Sequence, residues 1–169
     1  YFLTEKTLSF DAGLTTLRDP DKNFYLKPDT GSVAVGGWEE GSRSFHRGLP
    51  PLDFGRELFA PNMERLELFA LPASERLPVL NETGIQTVIN GPIPYSADAD
   101  FIMGKAPELD NYFVASGFLY GIAAGGGAGR MMAEWIVDGR PSLDLWPLDV
   151  RRYAAHHNAR AFMYPRAIE

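Results

Sequence analysis

Between Tyr112 and Gly139 the sequence passes from an aromatic and β-branched run, Tyr112–Ser116, through Gly117, Gly121, Gly125, Gly126, Gly127 and Gly129 into a long apolar stretch. A strand that leads through glycines into a helix offers one kind of chemistry. The first amides of a helix lack intrahelical acceptors and together carry about half a positive charge. Glycines let a ligand approach that backbone closely. Such a turn can hold a phosphate, a carboxylate or the electron-rich edge of a ring. The same glycines equally suit a helix lying close against a sheet, so these residues alone leave the two roles open. Two nucleotide patterns are excluded: there is no G-x-x-x-x-G-K-[ST], and Arg130 occupies the last glycine position of the best G-x-G-x-x-G frame.

Other chemistry-bearing residues carry weaker signals. His156 and His157 are adjacent and do not share a helix face, so no metal pair is expected there. His46 stands alone in a polar segment and is read as solvated. Asp98 and Asp100 do not make a calcium loop by themselves. Arg151-Arg152 reads as a surface or interdomain pair rather than an anion site. No cysteine occurs in the 169 residues, which excludes disulfides, thiol nucleophiles and zinc-thiolate centres and fits a reducing compartment. A formal charge of −6 argues against nucleic acid or an anionic membrane as the main partner. No apolar run reaches the roughly 20 residues of a membrane span.

The elements that must position these residues are legible from turn chemistry and period. Asp19-Pro20-Asp21-Lys22-Asn23 is a turn that joins strand-like Leu14–Arg18 to Asn23–Lys27. Pro28-Asp29-Thr30-Gly31 is a second turn, and Ser32–Trp38 alternates as a third strand, so an antiparallel meander is expected. Residues 39–53 read as a long charged loop. Pro61 opens a helical region with Leu66, Phe69, Ala70, Ala73, Leu77 and Leu80 on one face, kinked or split by Pro72 and Pro78. Ile85–Asn90, Phe101–Gly104 and Tyr112–Ser116 read as strands. Residues 117–129 read as a glycine-rich turn before a helix near Arg130–Val137, which Gly139 caps. The tail from Pro141 has little period. Tyr1 in place of Met, followed at once by strand-like sequence, is what a segment of a longer chain would present.

Taken in order, several short motifs resemble the C-terminal oxidoreductase region of the D-amino-acid-oxidase-like flavoproteins, and in particular dimethylglycine and sarcosine dehydrogenases. They are Asn90-Gly91-Pro92, Ser96-Ala97-Asp98, Ile102-Met103-Gly104-Lys105-Ala106-Pro107-Glu108-Leu109, Gly117-Phe118, Trp135-Ile136-Val137-Asp138-Gly139-Arg140-Pro141 and Asp149-Val150-Arg151-Arg152-Tyr153. Tyr1–Glu5 and Asn23–Pro28 resemble the start of that family's substrate domain.

The resemblance implies an α+β fold. A substrate-binding domain over 1–103 would carry an antiparallel sheet and a helix near 61–82. Residues 104–140 would be the closing strand and helix of an FAD-binding domain. Residues 141–169 would extend toward a downstream domain, which in many relatives is a folate-binding one. It implies FAD held mainly by upstream residues, with Gly91, Pro92, Ile93 and the turn Gly117, Phe118, Leu119, Tyr120, Gly121 and Ile122 along its ring. Tyr25 and Trp38 would face a small N-methyl amino acid, although both residue types also serve as core aromatics. The implied reaction is hydride transfer from the N-methyl carbon to the flavin, in the cytoplasm or, in a eukaryote, the mitochondrial matrix. The 169 residues alone are expected to be inactive. Gly91 and Ala124 stand where some oxidases of the family carry a flavin-linking cysteine and an oxygen-activating lysine, which points toward dehydrogenases. A related D-amino-acid or glycine oxidase, and a non-catalytic binding module, are the alternatives.

Overall fold

The structure is a computed structural model that describes residues 1–7, 13, 15–39, 41–45 and 50–168. His46, Arg47 and Leu14 lie outside the described residues. The chain forms two compact units, Tyr1–Ser42 with His46–Gly91, and Arg43–Phe45 with Pro92–Glu169. The architecture is mixed α+β in the sense expected.

In the first unit, strands β1 (Phe2–Thr4), β2 (Leu17–Asp19), β3 (Phe24–Asp29), β4 (Ser32–Gly37) and β5 (Ile85–Val88) form an antiparallel five-stranded sheet in the order β2-β3-β4-β1-β5. The expected meander is present as β2-β3-β4. The sheet does not stop there, because β1 pairs along β4 and carries β5 on its other edge. Alternation sorts the side chains. Phe2, Phe24, Leu26, Val33 and Val35 point to one face and pack against Leu66, Phe69 and Ala73 of helix α1 (Met63–Arg76).

Helix α1 starts where its cap dictates. The Asn62 side chain accepts from the Arg65 amide at 3.0 Å, Glu64 lies in the first turn and Arg76 in the last. Pro72 neither splits nor ends the helix; it removes only one ladder bond from an otherwise anchored element. Pro78 sets the end instead. The residue before a proline avoids the helical region, and Leu77 sits at φ −126°, ψ 83° before a short 3-10 turn over Pro78–Glu82. Arg76 reaches Asp19 at 2.9 Å, which ties the end of α1 to β2.

The second unit is built on the hairpin β6 (Ile102–Lys105) and β7 (Phe113–Ser116) and on α2 (Gly121–Asp138). Strand β6 spans the division expected after Met103. Met103, Ala128 and Met131 form the core, flanked by Phe101, Phe118, Met132 and Leu145. Helix α2 corrects the sequence reading: it begins at Gly121, not near Arg130, and Gly125, Gly126, Gly127 and Gly129 lie inside it rather than in a turn. Glycine costs a helix roughly 1 kcal/mol per residue. The anchored half from Ala128 onward propagates the helix back through them, since extension needs no new nucleus. Gly139 ends it in the left-handed region at φ 78°, as expected.

The tail is more ordered than its lack of period suggests. Short 3-10 turns at Trp146–Leu148, Val150–Arg152 and Ala155–Asn158 lead to α3 (Arg160–Ile168). These turns repeat every three residues and leave no amphipathic stripe to read.

Gly104 joins two of the motifs. It lies at φ +119°, and a methyl group there would come within 2.9 Å of the Trp135 ring. Gly104→Ala combines a strained backbone with that clash, and is expected to destabilise the second unit by about 2 kcal/mol. Thermal melting of variant and parent measures this; an unchanged transition would contradict the packing.

Candidate functional site

The sheet face turned away from α1 is where the first unit can do chemistry. Arg18 and Tyr25 are direct cross-strand partners on β2 and β3, so their side chains share that face. Tyr25 lies edge-on to Trp38, with ring centroids 5.7 Å apart at 65°. The Arg18 guanidinium stands over the Trp38 ring, 4.2 Å from its centroid. Gly36 makes room for this cluster, since any side chain there would collide with the Tyr25 phenol and the Tyr1 Cβ. Burial pushes the Tyr25 hydroxyl above its ordinary pKa, and Tyr1 adds to the effect. Tyr25 therefore stays a neutral donor over the physiological range.

Trp38 is held from its backbone. The Asn23 side chain donates to its carbonyl. The next residue, Glu39, is ion-paired to Arg65 of α1, which also donates to the Gly41 carbonyl at 3.1 Å. The expected pair Tyr25 and Trp38 is thus brought together. Arg18 is the residue the sequence reading left unmarked. The β2–β3 register sets Asp19 opposite Phe24 and Arg18 opposite Tyr25.

Gly91 closes the first unit. The Phe59 amide donates to the Asn90 carbonyl at 2.7 Å, the Asn90 side chain donates to the Ala60 carbonyl at 2.7 Å, and Leu58 packs beside Gly91.

Pro92 and Ile93 open the second unit, which also holds Gly117, Phe118, Leu119, Tyr120, Gly121 and Ile122. Phe118 stacks on Phe101 with centroids 4.5 Å apart at 14°, and Gly117 turns at φ +69° beside Ser96. Burial raises the pKa of Tyr95, two residues past Ile93, and the charge of Tyr120 adds to the effect. The Leu119 and Gly121 amides are already used, donating to the Gly117 and Phe118 carbonyls at 2.9 and 3.1 Å. The Phe118, Tyr120 and Ile122 amides have no acceptor among the described residues, and the first turn of α2 carries no acid. Those three amides, rather than the whole turn, form the donor set.

Behind this turn lies an ionic clamp. Arg152 donates Nε to Asp98 Oδ2 at 2.6 Å and Nη2 to Oδ1 at 2.9 Å, and also reaches the Asp100 and Leu148 carbonyls. The Tyr153 hydroxyl donates to Asp98 Oδ1 at 2.7 Å, and the Ser96 hydroxyl reaches the same oxygen at 2.9 Å. Arg152 holds the Asp98 carboxyl well below the usual carboxylate range. Arg151 pairs with Asp149, which is 2% exposed and also bridges to Met103. Arg151-Arg152 is therefore no loose surface pair: each guanidinium is committed to a carboxylate within the unit. Among the described residues no group of three or more His, Cys, Asp or Glu could hold a metal ion, and no helix is long and apolar enough to cross a membrane.

The family described as FAD dependent oxidoreductase matches residues 1–135, and the FAD dependent oxidoreductase central domain matches residues 138–169. The chain is 37% identical over 146 residues to mitochondrial dimethylglycine dehydrogenase of Mus musculus, covering 83% of this chain and 17% of that protein. It is 36% identical over 166 residues to mitochondrial sarcosine dehydrogenase of Mus musculus, covering 94% and 17%. It is 32% identical over 158 residues to 4-methylaminobutanoate oxidase (formaldehyde-forming) of Paenarthrobacter nicotinovorans, covering 92% and 19%. The chain thus spans 17% of the length of the two mouse proteins.

Proposed function

This chain belongs to the FAD dependent oxidoreductase family, and we propose that the full-length protein oxidises a small N-methylated amino acid such as dimethylglycine or sarcosine. The observation that carries the reading is the contact between Tyr25 and Trp38 on the sheet face that α1 leaves uncovered. Two aromatic rings at an angle suit a methylated ammonium group, which is drawn to ring faces and whose methyls are apolar. The names of the two mouse relatives support this substrate class.

The residues present fit one edge of the family's cofactor. The Phe118, Tyr120 and Ile122 amides are free to donate, with the positive end of α2 behind them. When bound, FAD supplies the two-electron acceptor that no side chain of this chain can provide. The share of these residues is to orient substrate, exclude water and stabilise negative charge at the amides. In this reading Gly91, Pro92 and Ile93 also line the cofactor. The sheet of the first unit belongs to the substrate-binding part, the strand and helix over 104–140 to the FAD-binding part, and 141–169 to the next domain. The protein works in the cytoplasm or, in a eukaryote, the mitochondrial matrix. The 169 residues alone bind FAD weakly.

Anaerobic addition of dimethylglycine or sarcosine to the full-length protein is expected to bleach its visible flavin band. A colourless protein, or a coloured one that neither amine bleaches, would reject the proposal. Tyr25→Phe removes one polar contact to substrate and should lower kcat/KM by about tenfold. A second reading, an oxidase for a longer N-methyl amino acid, is favoured by the likeness to 4-methylaminobutanoate oxidase. Rapid reoxidation in air after reduction by that amine would select it.

A further inference from the structure

We propose that Asp98 is a positioning residue for the Phe118, Tyr120 and Ile122 amides, and that Arg152 and Tyr153 fix it there, so that the segment following α2 tunes the reduction of the flavin. This deepens the functional reading above and rests on it for the cofactor.

The amide donors are not supported by their own turn alone. A methyl group at Gly117 would meet Ser96 Cβ at 3.9 Å and Phe101 Cα at 4.0 Å. The Phe118 ring lies flat on Phe101. The turn therefore rests on the loop 96–101, and a shift of that loop carries the donors with it. The loop in turn needs outside support. Ala99 sits in the left-handed region at φ 63°, a costly conformation for a residue with a Cβ. Such backbone persists only where its surroundings over-determine it.

Those surroundings converge on Asp98. Its carboxylate accepts from Arg152 Nε and Nη2, from the Tyr153 hydroxyl and from the Asp100 amide, the last at 3.3 Å. Ser96 is 4% exposed, and its hydroxyl lies between Asp98 Oδ1 at 2.9 Å and the Asp100 carbonyl at 2.6 Å. Arg152 meets that same carbonyl at 2.9 Å, and its guanidinium stacks over the Tyr153 ring, 4.5 Å from the centroid. Asp100 is the neighbour of Phe101, so the clamp ends one peptide from the ring that carries Phe118. The amide turn and Asp98 lie in the part matched by the FAD dependent oxidoreductase family, whereas Arg152 and Tyr153 lie in the part matched by its central domain. A segment from one part thus fixes a donor set in the other. Donors held in place beforehand need no reorganisation as negative charge grows on the ring, and displaced donors stabilise the reduced flavin less.

The test measures the flavin midpoint potential of the full-length protein, with hydrogen exchange read on a peptide covering 117–122. Asp98→Asn keeps the shape and removes the charge that binds Arg152. It is expected to shift the preference from reduced to oxidised flavin about tenfold, which lowers the potential of a two-electron couple by about 30 mV. Exchange over 117–122 should quicken about tenfold, and kcat for dimethylglycine should fall while KM changes little. The sign is diagnostic, because loss of a negative charge acting through its field alone would raise the potential. Arg152→Lys keeps the charge without the fork and should shift the preference only about threefold. Gly104→Ala weakens the same unit away from the clamp and should leave the potential unchanged. An unchanged or raised potential in Asp98→Asn overturns the positioning role, as does an equal fall in Gly104→Ala. A colourless parent overturns it together with the cofactor reading. A coloured parent that shows the expected shift but is bleached by neither amine supports the positioning role and rejects the N-methyl substrate alone.

Discussion

Phe69→Ala is expected to lower the stability of the first unit by about 3–5 kcal/mol, the usual cost of emptying a buried aromatic site. Phe69 is 5% exposed and faces Phe24, Leu26 and Val35 across the sheet. Its Cβ lies so close to the β4 backbone that Gly37 has no room for a side chain. With helix and strand already in contact on either side, the site cannot collapse to fill the void. Urea unfolding of the full-length protein, with hydrogen exchange read on peptides of β3, β4 and α1, measures the loss. A change below about 1 kcal/mol would mean that Phe69 does not join α1 to the sheet.

Arg152→Met should cost the second unit about 3 kcal/mol. Removing one member of a buried pair leaves the other charged and unpaired, at roughly 3–5 kcal/mol. The lower end applies because the Asp98 side chain is 35% exposed and water screens part of its charge, whereas that of Arg152 is only 11% exposed. The pH dependence gives an independent readout. Asp98 is held below its ordinary pKa, first by Arg152. Its contribution is therefore complete above the unfolded carboxylate value of about 4 and is lost as pH falls through the lower folded value. The gap between parent and Arg152→Met should be widest near neutrality and shrink in acid. A gap that stays constant from neutral to acid pH would show that the loss is one of packing alone.

Turn chemistry and alternation located the strands well. Pro20–Asn23 and Thr30-Gly31 are turns in the structure, and Gly139 caps α2 as a left-handed glycine. The apolar stripe Leu66, Phe69, Ala73 was legible for the same reason, since burial of one helix face writes a period into sequence. Three features were not. The start of α2 is hidden because glycine reads as loop, while the force that keeps Gly121–Gly129 helical comes from Met131 packing beside Met103, far away in sequence. The Arg18–Trp38 stack was invisible because register decides it: a single-residue change in turn length moves Arg18 to the opposite face. The tie between Asp98 and Arg152 crosses 54 positions, and nothing local in either segment names its partner. The motifs behind the family resemblance nevertheless turn out to touch, with Trp135 over Gly104 and Tyr153 on Asp98.

Because the Tyr25 phenol occupies the volume that a Cβ at Gly36 would fill, the ring rests directly on the main chain of β4. Its height above the sheet is then a property of peptide geometry, with no intervening side chain to shorten or lengthen. Raising or lowering the ring by substituting the floor beneath it is closed off at this position.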